Sequence, residues 1–420
     1  MRILQVHNKY RPAWGGEDTV ADLEADLLRR NGHEVECLSA WTGELEGVSF
    51  FRLLAAGLGT VWSFDGYAKM KKAIAGFTPD IVHVHNEFPL LSPSIFWASN
   101  SAGVPVVQTM HNYRLACANA ILLREEKPCE DCVGRFPWRA MRHRCYGPSL
   151  LRTAAVTSKN VLHRWFGTYR RKVHAYIVLT EFSKEILVRA GLPRERVFVK
   201  PNFGADPGRL ITLRLPRIVF AGWITRLKGL HLLLEAWSRL ASATHQLILL
   251  GDGPERVELQ RRFGTNSNIV WLGSQSRNKV IEFVASSRWV VQPSLAYENL
   301  PMSVLEAFSV GTPVIVPNHG GFANMVSKGQ EGLVFSAGDV RSLATTLQEA
   351  MRTPEATWTQ YSNSARNKFM RDYTERSNYS ELMTIYEQAA RYFETTRSYS
   401  GRVRSSRVGN TIANSPREES

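Results

Sequence analysis

The chain has 420 residues, 44% of them hydrophobic and 21% charged. That is too long for one ordinary core and too apolar for wholesale disorder, so two domains of roughly 150–200 residues are expected. The net charge of +14 points to an anionic partner: a nucleic acid, a membrane surface or a phosphorylated substrate.

No apolar run approaches the ~20 residues of a membrane span; Phe51–Trp62 is broken by Arg52, Gly57 and Gly59. Met1–Asn8 reads as a strand rather than a signal peptide, which places the chain in the cytosol with its five cysteines reduced unless a metal holds them. Arg2–His7, Glu34–Leu38, Asp80–His85, Val104–Thr109, Ala175–Thr180 and Val197–Pro201 read as strands. Several are unbroken apolar runs, as parallel strands buried on both faces require. Cys37, alone on its strand, reads as a core filler. Helical patterns fill Asp18–Asn31, Tyr67–Gly76, Pro93–Ala102 and Phe182–Ala190. The alternation breaks from Asn112 to Pro148, rich in Cys, Arg and aromatics, and restarts with a long helix over Leu150–Val173.

Gly204, Pro207, Gly208 and Pro216 mark a linker at 204–216. Beyond it the pattern repeats, with strands Arg217–Ala221, Gln246–Leu250, Ile269–Leu272, Trp289–Gln292, Pro313–Pro317 and Gly332–Phe335. Helices occupy Leu227–Ala241, Glu255–Phe263, Lys279–Ser286, Met302–Val310 and Val340–Met351. The division is therefore a first domain at 1–203, with a Cys-rich basic insertion at about 112–172, and a second at 217–373. A closing polar helix at 374–395 and a disordered basic tail at 396–420 follow; a merely solvating terminus is the simplest role for that tail. Two such arrays mean an α/β chain of two Rossmann-like, doubly wound parallel-sheet domains facing a central cleft. Ligands in such sheets bind at the carboxyl ends of the strands.

Glu298 and Glu306 bracket a strand-to-helix turn there. Amides at Asn299, Leu300 and Met302 precede or begin the helix and can receive an anion on its positive end. One carboxylate can then bind sugar hydroxyls beside a diphosphate while the other reaches a ribose diol; a solvated loop Glu and a helix-surface Glu are the alternative. After Gly222, Arg226 can bind phosphate bidentately and Lys228 can add a point charge. Cations are unfavourable at a helix start unless an anion sits there. No Asp-x-Asp pair follows a strand in this half, so neutralisation without Mg²⁺ is the economical reading. The base would lie near Gly273 and Ser274. In the first half, Gly15 and Gly16 free the backbone at a helix start, for a ligand or for a tight turn. His83 and His85 share one strand face, as a metal pair or as hydrogen-bonded histidines at the cleft edge. Cys117, Cys129, Cys132 and Cys145 read C-x11-C-x2-C-x12-C, a structural zinc site or a set of packed or disulfide-bonded thiols.

The run Glu298-x7-Glu306-Ala307, followed by Gly311-Thr312-Pro313-Val314, resembles the donor-sugar signature of the family 4 retaining glycosyltransferases. Phe220–Gly229 resembles their phosphate clamp, with Trp223 where an Arg is common. Gly251-Asp252-Gly253-Pro254-Glu255 resembles their strand-end turn, and Asn8 through Gly16-Glu17 their glycine loop. The resemblance spans about residues 1–390 and implies the GT-B fold. It implies a hexosyl transfer from a UDP-, GDP- or ADP-sugar, with Glu298 on the donor sugar and His111 shielding the developing oxocarbenium ion. The leaving phosphate can itself take the acceptor proton.

Between Arg135 and Lys172 stand ten basic residues and no acid, together with Phe136, Trp138, Tyr146, Trp165, Phe166 and Tyr169. In the domain the family uses for the acceptor, this implies a peripheral enzyme on the inner face of a bacterial plasma membrane, extending a lipid-linked glycan. The rivals are an epimerase or glycosyl phosphorylase of the same architecture, or a zinc-containing nucleic-acid module. The basic run lacks the His pair of a zinc finger, so no nucleic-acid partner is expected.

Overall fold

The computed structural model describes residues 1–412 except 10–15, 46–56, 148, 209–212 and 241–244, with side chains up to 398. Gly15 and the first half of the Phe51–Trp62 run lie outside the described residues. The first half holds β1 (Arg2–Lys9), β2 (Glu34–Trp41), β3 (Ile81–Asn86), β4 (Val106–Met110), a small hairpin of β5 (Leu123–Arg124) and β6 (Lys127–Pro128), then β7 (Ala175–Val178) and β8 (Val197–Val199). The second holds β9 (Leu215–Ala221), β10 (Gln246–Leu250), β11 (Ile269–Gly273), β12 (Ser287–Val291), β13 (Val314–Pro317) and β14 (Gly332–Phe335).

These strands form two six-stranded parallel sheets, ordered β2-β1-β3-β4-β7-β8 and β11-β10-β9-β12-β13-β14. The two doubly wound domains are thus as expected. Every residue of β3 and of β4 is buried, which is why neither shows an alternating pattern. The edge strand β2 has no fully buried residue, and its neighbours Glu36 and Cys37 are both exposed, so the thiol is not core filler.

Strand order reverses between β1 and β3 in the first sheet and between β9 and β12 in the second. Diverging connections leave a crevice at such a switch point, at the carboxyl ends of the strands. The loops after β1, β3 and β4 carry Gly16, Glu87 and His111; those after β9 and β12 carry Lys228 and Glu298.

Three local expectations need correction. The long helix over Leu150–Val173 is two helices, Leu150–Trp165 and Thr168–Arg171, because Gly167 takes a left-handed φ of 67° and ends the first. A helix at Glu355–Asp372 follows Pro354; it buries only Trp358, Ala365 and Phe369, too thin a stripe to read. The closing helix runs from Glu375 to Ile412, well into the segment expected to be disordered. Once its first turns are docked, each further residue costs little, and no proline interrupts before Pro416. Leu382, Ile385, Tyr386 and Ala389 of this helix join Ile3, Leu28, Ile81, Val107, Ala175 and Ile177 in the first domain's core.

At the start of β4 the Val106 amide donates to His174 Nδ1 at 2.9 Å, which requires a neutral imidazole there. Burial, then Arg196, brings the His174 pKa down to about 3; burial, then His83, brings His85 down to about 4. Between those values and the ordinary 6.5, the unfolded chain binds protons that the native chain refuses. Stability from these groups is therefore complete above pH 6.5 and falls as pH drops, by ~1.4 kcal/mol per pH unit for each histidine. Urea unfolding should show this slope, and His174→Gln should remove one histidine's share. An unchanged slope would place the acid sensitivity elsewhere.

Candidate functional site

On the second domain's side, Gly222 leaves β9, and Arg226–Lys228 forms a single 3-10 turn before the helix Leu230–Ser238. Gly229 has φ 69°, and a Cβ there would stand 2.0 Å from the Pro293 carbonyl oxygen. A Cβ on Gly251 would stand 1.9 Å from the carbonyl oxygen of Gly222. Only glycine lets the three loops pack backbone against backbone.

This packing brings Lys228 Nζ to 2.7 Å from Glu298 Oε1, which also accepts from Ser294 Oγ at 2.8 Å. Burial, the largest influence, pushes the Glu298 pKa up. The Lys228 charge and the hydrogen bonds from Lys228 and Ser294 outweigh it and hold the carboxyl below its usual value. Glu298 is therefore an anion at neutral pH, ready to accept hydrogen bonds from hydroxyls. The helix Met302–Ser309 begins after Pro301 without a side-chain cap, and among the described residues no acceptor meets the amides of Asn299 and Leu300. Those N–H groups point the helix's positive end at a place for an anion.

Glu306 faces a different cation. Arg277 Nε lies 3.3 Å from its Oε1, and both residues line a cavity of about 430 Å³ with Gly204, Pro207 and Asn278. Burial raises the Glu306 pKa against the pull of Arg277. Gly273 closes β11 at φ 69°, beside the Arg256 guanidinium.

On the first domain's side, His111 follows β4, with its Nε2 3.0 Å from His85 Nδ1 and the two rings stacked at 5.3 Å. His85 Nε2 lies 3.3 Å from Glu24, whose other oxygen takes Lys200 Nζ at 3.0 Å. Burial, then His85 and His7, keeps the His111 pKa far below the ordinary value. A neutral imidazole adds no repulsion to a neighbouring carbocation. Glu24, His83 and His85 are the one group among the described residues whose ligand atoms lie close enough for a metal. Lys200 already supplies the cation, and His83 is held by Tyr386 Oη and Thr109 Oγ1, each at 2.8 Å. The hydrogen-bonded alternative therefore describes this pair.

Gly16 opens the helix Gly16–Arg30, and among the described residues no atom lies within 4 Å of where a Cβ would be. The next residue was missed from sequence as a site. Glu17 accepts from Asn86 Nδ2 at 2.9 Å, and burial, then Asp18, lifts its pKa to about 7. Its one signal was its place directly after the glycine pair.

The cysteine segment reaches across the cleft. Glu126, at the tip of the β5–β6 hairpin, pairs with Arg226 Nε at 2.5 Å. At the root of the hairpin, Cys117, Cys129, Cys132 and Cys145, all free thiols, line one cavity of about 10 Å³ with Arg124 and Arg139. Burial raises the Cys117 thiol to about 11. The four sulfurs do not meet the mutual spacing that Glu24, His83 and His85 meet.

The basic stretch is less uniform than its sequence. Lys159 is buried against Glu87 at 3.3 Å, and Arg139 pairs with Asp131 at 3.0 Å. Phe136, Trp138, Trp165 and Phe166 are exposed, Tyr169 is buried and Tyr146 half-buried. No helix among the described residues is long and apolar enough to cross a membrane.

Residues 14–204 match the family described as Glycosyltransferase Family 4, and residues 215–353 match Glycosyl transferases group 1. A sulfoquinovosyl transferase of Arabidopsis thaliana is 29% identical over 67% of this chain, and the match spans about half, 52%, of that relative. A GDP-mannose-dependent alpha-mannosyltransferase of Mycobacterium tuberculosis is 24% identical over 81% of this chain and 85% of its own length. Among solved structures, Anabaena HepE in complex with UDP and glucose superposes at a TM-score of 0.61, with 16% identity, over 92% of this chain and all of that one. A lipopolysaccharide outer core galactosyltransferase, WaaB, superposes at 0.63 with 15% identity, over 91% of this chain and 99% of that one. At such identities these two speak for the fold alone.

Glu126→Gln should free Arg226 for an incoming diphosphate. Calorimetry should show nucleoside diphosphate binding tightened by up to about fivefold, the scale of an exposed ion pair. Unchanged or weaker binding would mean that Glu126 does not compete for Arg226.

Proposed function

Because this chain belongs to the family 4 glycosyltransferases, we propose that it is a retaining enzyme moving a hexose from a nucleotide diphosphate sugar to a lipid-linked glycan in cell-envelope polysaccharide synthesis. The observation that carries the reading is the pairing of opposed switch points: ionised Glu298 with Lys228 and two free amides on one side, neutral His111 on the other. The UDP and glucose in the Anabaena structure and the GDP-mannose dependence of the mycobacterial relative support a nucleotide-sugar donor. A Salmonella typhimurium relative described as a putative colanic acid biosynthesis glycosyltransferase, 23% identical over 55% of this chain, supports a glycan acceptor. The exposed aromatic and basic surface supports work at the inner face of a membrane.

Glu298 accepts from hydroxyls of the donor sugar and fixes C1 below His111, while Glu306 accepts from the ribose diol. As the C1–O bond to the diphosphate breaks, negative charge grows on the leaving oxygen. Lys228, Arg226 and the Asn299 and Leu300 amides meet it, so no metal is required. The acceptor oxygen attacks C1 on the same face, and its proton passes to the leaving phosphate. His111, neutral, shields the oxocarbenium ion without opposing its charge.

Thermal shifts against UDP-, GDP- and ADP-sugars identify the donor, since bound ligand raises the melting temperature by mass action. NMR of the product should show the donor's anomeric configuration kept; inversion would overturn the mechanism. Glu298→Ala should lower kcat by ~10²-fold with little change in nucleoside diphosphate affinity, because its partner is the reacting sugar. Equal losses in both would remove its assignment to the sugar.

The four cysteines are proposed to hold one structural Zn²⁺. Their cavity offers thiols alone as metal ligands, and the −2 charge of a zinc tetrathiolate suits the neighbouring Arg124 and Arg139. Elemental analysis of chelator-free protein should give one zinc per chain, lost in Cys129→Ser together with thermal stability. Zinc-free protein with four titratable thiols would exclude the site.

A further inference from the structure

A groove of about 970 Å³ lies outside the catalytic cleft, on the flank of the first domain. Its apolar wall is Trp62, Phe64, Tyr67 and Trp97, and its other side carries Arg170, Arg171, Lys172 and Arg397. No acidic side chain lines it, and none of these four cations has an ion-pair partner among the described residues. Lys172 Nζ sits 4.4 Å above the Trp97 ring, and burial, then Arg171, lowers its pKa. Three exposed arginines gathered around a partly desolvated lysine, without a counter-charge, are an arrangement that an anion relieves.

The aromatic wall continues to the surface. Trp62 stacks on His163 at 6.2 Å, His163 meets Phe166 at 6.3 Å, and Phe166 stacks on Trp165. At its two ends Phe64 is 81% and Trp165 77% exposed. Lys172 and Gly103 precede β7 and β4, at the amino ends of the strands whereas His111 lies at the carboxyl end, so whatever sits by them is not the reacting acceptor.

We propose that this groove seats the phosphate headgroup of an anionic phospholipid, with Phe64, Trp165 and Phe166 entering the interfacial layer. The charge calls for a monoanion or dianion, and the adjoining exposed rings call for an amphiphile rather than a free ion. The proposal rests on the membrane reading above and names the surface that performs it.

Two measurements keep the two ideas apart. Short-chain phosphatidylglycerol below its micelle concentration, read by tryptophan fluorescence, probes the groove without a bilayer. Flotation with phosphatidylcholine vesicles, with and without phosphatidylglycerol, probes the membrane. Wild type should bind the short-chain lipid, and inorganic phosphate at the same concentration should not reproduce the signal. The variant Arg170→Gln/Arg171→Gln/Arg397→Gln should lose the lipid signal. It should also lose on the order of a hundredfold in partitioning to anionic vesicles. Its fold and its donor hydrolysis should be unchanged, since these arginines are exposed and far from the cleft. Arg139→Gln/Arg142→Gln/Arg144→Gln, with the same loss of charge, should cost less than tenfold. Equal losses in the two triple variants, or a lipid signal that survives in the groove variant, would overturn the seat. A phosphate signal equal to that of the lipid would overturn it too. Short-chain lipid bound in the groove with no vesicle preference would uphold the seat and sink the membrane reading.

Discussion

A buried carboxylate, Glu24, organises the first domain. It is fully enclosed, and its charge is tolerated only because Lys200 reaches one oxygen while His83 and His85 approach the other. The carboxyl is held well below its usual pKa: the cost of burial is the largest influence, but Lys200 and the two histidines outweigh it. Glu24 stands on the first helix, its partners come from β3 and from the chain leaving β8, and Tyr386 of the last helix donates or accepts at His83. Losing any one would leave an uncompensated charge or an orphaned polar group in the core. The same network fixes His85, and through it the ring of His111. The placement of His111 therefore depends on a buried network that starts at Glu24, two side chains away.

The second domain solves the same difficulty at a lower degree of burial. Lys228 and Glu298 neutralise each other across a pair of loops that glycine alone can bring together. Each is the resting counter-ion of the other. Arg226 has its resting partner on the opposite domain, in Glu126, so this guanidinium ties one domain to the other.

The alternation of buried apolar runs with amphipathic segments was enough to place the strands of both sheets and to find the cleft, because parallel strands and their crossover helices impose a period that few other folds share. The spacing from Glu298 to Glu306 was legible for a related reason, since both positions are tied to one strand-to-helix turn. What escaped was tertiary. Nothing local in Glu17 tells that Asn86, far along the chain, will enclose it. Lys159 reads as one more surface cation until the fold buries it beside Glu87. The long helix was misread at Gly167 because a glycine within a helical pattern is usually tolerated, and only the backbone angle reveals the stop.

The helix Glu375–Ile412 lies against the first sheet, so the chain leaves the first domain for the second and then returns to it. The second domain is thereby a loop of the first, and its two connections run side by side: the Gly204 amide donates to the Tyr373 carbonyl at 3.1 Å. A segment entering and leaving through one gate can be replaced whole, without disturbing the order of the surrounding chain. In evolutionary terms the second domain is an exchangeable cassette set into the frame of the first, and recombination at that single gate would replace the one without breaking the other.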